Sequence, residues 1–123
     1  MRPLARPVRR PRDELVIAWL LLLLDRGPTY GYELCRELNA VSIGIDSSAL
    51  YRTLRRLEGE RLVSSRWTSS SRGPRRRSYV ITLKGRRRLD ELAEIIRSAR
   101  DVHDSFLEAH AQGRARGLRD SAA

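Results

Sequence analysis

The sequence predicts a mainly α, α+β chain with the element order of a winged helix-turn-helix: three helices, a two-stranded wing and one long C-terminal helix. Three observations carry that expectation. An apolar decamer, Leu15–Leu24, is followed by two short segments that open on capping residues and place apolar side chains at helical spacing. Two runs of β-branched and aromatic residues flank a basic tip rich in Ser and Arg. Beyond them, apolar residues recur every seven positions. At 123 residues and 41% hydrophobic content the chain is the length of one domain, and with one Phe and two Trp its core is mainly aliphatic.

The elements follow in order. Residues 1–12 hold three prolines and five arginines and are expected to form a disordered basic arm, read equally as a minor-groove contact and as a tail with no defined contact. Asp13 reads as an N-cap for a first helix whose core, Leu15–Leu24, is apolar on every face; a chain this small can barely cover it, which hints at a partner subunit. Asp25-Arg26-Gly27-Pro28 stops it. Thr29 is expected to cap a second helix over Tyr30–Asn39. Asp46-Ser47-Ser48 should cap a third, from about Ser48 to Gly59, with Leu50, Leu54 and Leu57 as its buried stripe. Leu62–Thr68 and Ser78–Leu83 are the expected wing strands, with Trp67 read as packing beneath the wing. Thr82 caps the last helix, expected to end at Gln112-Gly113. The predicted divisions are therefore a winged-helix domain over 13–83, a helix over 84–111 and a flexible tail over 112–123.

Along that last helix Leu92, Ala99 and Phe106 fall seven apart, as do Ile95, Val102 and Ala109. This is an a/d seam with no second long helix in the chain to receive it, so it predicts a homodimer through Leu92, Ile95, Ala99, Val102 and Phe106. Trp19 is read as core; its second reading is as the wall of an inter-subunit effector cavity with Val102 and Phe106.

The net charge is +10, with 25 Lys+Arg against 15 Asp+Glu, and all but one of the basic residues are Arg. The distribution matters more than the total. Residues 1–12 carry +5, residues 13–60 carry −3, residues 61–88 carry +10 with no acid, and residues 89–113 carry −4. Four Arg fall within the six residues 72–77, at the expected wing tip. Arg offers a planar fork that bonds phosphate or guanine bidentately. Beside it, the expected third helix presents Ser47, Ser48, Tyr51, Arg52, Arg55 and Arg56 away from its leucine stripe; Tyr51 is read as a DNA contact. The pattern predicts a polyanionic partner on one side of the molecule, double-stranded DNA.

Other classes are set aside on residue content. Cys35 stands alone, so no internal disulfide and no Cys-based zinc cluster is expected, and it reads as a small apolar residue. His103 and His110 are read as an exposed polar flank, with no metal and no cofactor expected. No nucleophile–base pair and no phosphate-cradling glycine loop is found, so no enzyme activity is expected. Arg9-Arg10 before the apolar decamer imitates a twin-Arg signal, but ten residues are too few to span a bilayer at about 20. No membrane partner is expected.

Taken together, Gly27-Pro28-Thr29-Tyr30-Gly31-Tyr32-Glu33-Leu34, Ser48-Ala49-Leu50-Tyr51-Arg52-Thr53-Leu54-Arg55-Arg56-Leu57-Glu58, Leu62-Val63, Trp67, Gly73-Pro74-Arg75 and Tyr79-Val80-Ile81-Thr82-Leu83-Lys84-Gly85 resemble the PadR family of bacterial transcriptional regulators. The resemblance covers about residues 14–110, and the single long C-terminal helix is similar to the short subfamily. It implies a cytoplasmic, nucleoid-associated repressor that binds a palindromic operator and answers to a small-molecule effector. Family DNA contacts would fall on Tyr30, Ser47, Ser48, Tyr51, Arg52, Arg72, Arg75 and Arg76. The C-terminal helix has no Trp, so the stacking of flat drugs on such a Trp by some members has no counterpart residue here. An RNA- or ribosome-binding basic protein is the competing expectation, and a winged helix used as a protein-interaction module is a third.

Overall fold

The computed structural model describes residues 11–69 and 73–122. Four helices, α1 (Pro11–Asp25), α2 (Gly31–Ala40), α3 (Ser47–Gly59) and α4 (Leu83–Ala122), accompany three short strands, β1 (Thr29–Tyr30), β2 (Val63–Thr68) and β3 (Arg76–Ile81). The strands form one antiparallel sheet in the order β1-β3-β2. The fold is a winged helix-turn-helix followed by a long helix. The chain divides into a unit that ends at Leu92 and a second unit, Ala93–Ala123.

Helix α1 begins inside the segment expected to be a disordered arm. Pro11 is compatible with that start because at the first helical position its missing N–H costs no helical bond. The rest of the arm, residues 1–10, lies outside the described residues. Val16, Ile17, Ala18, Leu20, Leu21, Leu23 and Leu24 are all buried, while Leu15 and Leu22 are exposed and Trp19 is half-buried. Positions 15, 19 and 22 lie on one helix face. One chain thus covers the apolar helix except for that single stripe.

Thr29 does not cap α2. Thr29 and Tyr30 are extended and pair with Tyr79 and Ser78 of β3, and the N-cap position is Tyr30, with no side-chain cap bond. Pairing with β3 draws Thr29 into a strand and away from the capping position. Helices α2 and α3 end alike. Ser42 and Arg61 take left-handed φ values of 66° and 62°, and the next amides, Ile43 N and Leu62 N, donate to Leu38 O and Leu57 O at 2.9 Å. This is the reversal that closes a helix C-terminus with a bond back across its last turn.

The turn between α2 and α3 is held by Asn39, whose side-chain amide donates to Cys35 O at 2.8 Å and Ile45 O at 3.1 Å. Asp46 then caps α3, accepting from Ala49 N at 2.8 Å. Leu50, Leu54 and Leu57 are fully buried, as the stripe predicted. That leaves the opposite face of α3 to solvent. Glu58 accepts from Ser65 Oγ at 2.6 Å, which ties the end of α3 to β2.

Thr82 starts α4 as expected, its Oγ1 accepting from Gly85 N at 3.0 Å. A Cβ on Gly85 would stand 2.1 Å from the carbonyl oxygen of Leu62, so the close approach of helix and strand entry requires glycine. Asp25 pairs with Arg86 at 3.0 Å, joining the end of α1 to the start of α4. Leu92, expected on an inter-subunit seam, is instead fully buried in the single chain.

In the second unit, the side chains from Ala93 to Ser121 are exposed apart from the half-buried Ile96. The helix does not stop at Gln112-Gly113 but continues to Ala122. Gly113 and Gly117 each cost about 1 kcal/mol of helix propensity, and the Ala, Arg and Leu around them are strong helix formers that offset it.

Candidate nucleic-acid interface

The capped start of α3 fixes which side chains reach outward. Ser48, Tyr51, Arg52 and Arg55 are exposed on the helix face away from the buried leucines, and Ser47, in phase with that stripe, is exposed at the first turn. Tyr51 also has a structural partner. A Cβ on Gly31 would lie 2.6 Å from Tyr51 Cε1 and 2.7 Å from its hydroxyl oxygen, so the ring rests where a side chain on α2 would stand.

The wing approaches the same region through strand register. Trp67 pairs directly with Arg77, and Ser65 with Tyr79. Alternation places Val63, Ser65 and Trp67 on one face of β2. That face passes from core at Val63, which is 1% exposed, to solvent at Trp67, which is 53% exposed. Trp67 is therefore not packed beneath the wing. The strand carries it past the last core side chain, and basic groups surround it instead: Arg77 Cζ lies 5.2 Å and Arg75 Cζ 5.9 Å from its ring centroid. Arg76 Cζ lies 5.8 Å from the Tyr30 ring.

These residues line an open cleft of about 670 Å³ between α2, α3 and the wing. Its walls include Tyr30, Tyr32, Tyr51, Trp67 and Tyr79, and Arg55 and Arg75 to Arg77 supply its charge. Burial pushes the Tyr79 phenol above its usual pKa, so it stays neutral and contributes ring surface. The ion pairs among the described residues lie elsewhere, at Glu33–Arg36, Asp25–Arg86, Glu91–Arg88 and Glu94–Arg97. No described carboxylate neutralises Arg52, Arg55, Arg75, Arg76 or Arg77.

Of the expected site residues, Tyr30, Ser47, Ser48, Tyr51, Arg52, Arg55, Arg75 and Arg76 lie on α3, the wing and the strand facing it. Arg72 lies outside the described residues. Arg77, Trp67, Tyr32 and Gly31 were missed. The Trp67–Arg77 pairing needs the hairpin register, and the role of Gly31 needs the position of Tyr51; neither has a local sequence signal. In the second unit Ile95, Ala99, Val102 and Phe106 are exposed, and the His110 ring stacks on Phe106 with centroids 6.1 Å apart. His103 is exposed too, and no group of three or more candidate metal ligands occurs among the described residues. No described helix is long and apolar enough to cross a membrane.

A winged helix-turn-helix with basic residues on its wing is an architecture of DNA-binding transcription regulators. Residues 20–91 match the transcriptional regulator PadR-like family, and the chain belongs to it. It is 31% identical, over 82% of its own length and 92% of the other's, to an uncharacterised protein of Lysinibacillus sphaericus. Its fold is similar to a PadR family transcriptional regulator of Eggerthella lenta, with a TM-score of 0.71 and 32% identity over 79% of this chain and 85% of that one. It is also similar to Bacillus subtilis PadR solved in complex with operator DNA, with a TM-score of 0.57 and 21% identity over 63% of this chain and 45% of that one.

Proposed function

We propose that this protein is a sequence-specific, dimeric repressor that binds a palindromic double-stranded DNA operator and is released by a small-molecule effector. The observation that carries the reading is the continuity of two features on one unit. Helix α3 exposes Ser47, Ser48, Tyr51, Arg52 and Arg55, and beside it the wing bears Arg75, Arg76 and Arg77 with no described carboxylate among them. In this reading α3 enters the major groove. Its hydroxyls and guanidinia meet base edges and phosphates there, while the wing arginines follow the adjacent backbone. Each phosphate neutralised releases counterions, so affinity falls steeply with salt.

Arg12 Nη2 donates to Gly44 O at 2.6 Å, in the turn that leads into α3. The contact brings one arginine beside the turn that positions α3. Dimerisation is supported by the exposed heptad residues Ile95, Ala99, Val102 and Phe106; Leu92 is not available to it. Two half-sites about one helical turn apart would then match the two-fold of the protein. Trp19, Val102 and Phe106 are the residues this reading assigns to an effector, and the cytoplasmic nucleoid is where it would act.

Gel shift on the DNA upstream of its own coding sequence, against a structured RNA of equal length, tests the reading. Tighter binding to DNA is expected, lost in Y51A/R52A. Preference for RNA would turn the interpretation toward an RNA-binding basic protein, and DNA binding unaffected by Y51A/R52A would remove α3 from the interface.

A further inference from the structure

The cleft between α2, α3 and the wing has more than DNA backbone contact demands. A phosphate contact needs a hydrogen-bond donor and no set of aromatic walls. Here Arg75 and Arg77 lie over the exposed Trp67 ring and Arg76 lies over Tyr30. A guanidinium set over a ring uses its π face there and keeps its in-plane N–H donors for a further acceptor. No described carboxylate takes those donors, and none lines the cleft. The volume of about 670 Å³ falls within the range of small-molecule sites, on the order of 300–1,000 Å³. An inorganic anion would leave the aromatic walls, Tyr51 among them, without a partner, and a neutral aromatic would leave the cations unused. A flat ring carrying a phosphate uses both.

We propose that this cleft binds a free nucleoside phosphate. Its base stacks against Trp67 and Tyr51, its phosphate takes the N–H edges of Arg75 and Arg77, and the bound nucleotide competes with DNA for the same face. Binding stands on the cleft alone; competition rests on the DNA-binding reading above. Tyr51 and Trp67 come from α3 and the wing, the two elements that this reading gives to DNA, so an occupied cleft and a docked duplex exclude each other. The regulator would thereby sense a nucleotide through its DNA-contacting face, apart from the effector residues assigned to Trp19 and α4.

The test titrates adenosine 5′-monophosphate into W19F, where Trp67 is the sole indole, at fixed ionic strength, with adenosine and inorganic phosphate as separate titrants. Saturable quenching of Trp67 emission is expected, at least tenfold tighter than for adenosine, absent with phosphate, and at least tenfold weaker in R75A/R77A. Calorimetric titration of the wild type against W67F reads the same contrast if W19F does not fold. No saturable binding, or equal affinity for adenosine and the nucleotide, overturns the proposal. So does binding of a short single-stranded oligodeoxyadenylate more than tenfold tighter per nucleotide, which would make the cleft a strand groove. Displacement of a labelled upstream DNA fragment by the nucleotide upholds competition, and joint occupancy overturns it. A protein that binds the nucleotide but no DNA upholds the cleft and sinks the DNA-binding reading, so the two failures are told apart.

Discussion

The ring of Tyr51 occupies the space that a side chain on Gly31 would take, with Cε1 2.6 Å from the position of the missing Cβ. This places an α3 side chain assigned to DNA beside the first residue of α2. G31A should leave the fold intact, because the obstructing atoms are the far end of an exposed side chain and Ala is the better helix former. The methyl group displaces the ring, and losing one base contact costs about 1–3 kcal/mol. Fluorescence anisotropy should show operator affinity falling roughly five- to 150-fold, with an unchanged circular dichroism spectrum. Unchanged affinity would mean that Tyr51 does not contact DNA in this position.

Arg75 and Arg76 are assigned to phosphates, so R75A/R76A should weaken binding to all DNA sequences alike. The slope of log affinity against log salt should flatten by about 0.9 per lost contact, close to two units in all. An unaltered slope would take these side chains off the backbone.

Gly85 makes a claim about folding alone. Its missing Cβ would stand 2.1 Å from a backbone oxygen, that of Leu62, and 2.7 Å from Ile81 Cγ1. A backbone atom cannot swing aside as Tyr51 can. G85A should therefore destabilise the protein by about 1–3 kcal/mol, the usual cost of overpacking, read as a lower thermal midpoint. A midpoint equal to that of the wild type would show that α4 can shift away from Leu62 at no cost.

V102D/F106D places two carboxylates on the heptad face of the second unit, where both native side chains are exposed. Sedimentation should report monomers that bind operator weakly while the winged helix melts near its normal midpoint. A dimer that persists would refute the seam.

Much of the fold was legible because its signals are local. The leucine stripe of α3, the Asp46 cap and the Thr82 cap each depend on neighbours within one helical turn, and all three stand as expected. The errors share a different cause. β1 is two residues long and exists only through its pairing with β3, so no periodicity could announce it. Trp67 was read as packing beneath the wing; strand alternation does put it on the face of Val63, but says nothing about where the core beneath that face runs out. Leu92 fits the heptad yet is buried in the single chain, since a seven-residue repeat does not state which chain covers it. The site was half legible for the same reason. Side chains of α3 follow from helical phase, whereas the cleft requires the hairpin register and the Gly31–Tyr51 contact.

The central claim is that α3 and the wing together grip DNA. Footprinting of the wild-type protein on the DNA upstream of its own coding sequence tests it most directly. Protection of an inverted repeat with half-sites about one helical turn apart, abolished in Y51A/R52A and shortened at its flanks in R75A/R76A, is the predicted result. Protection that is absent, or that persists unchanged in both variants, would contradict it.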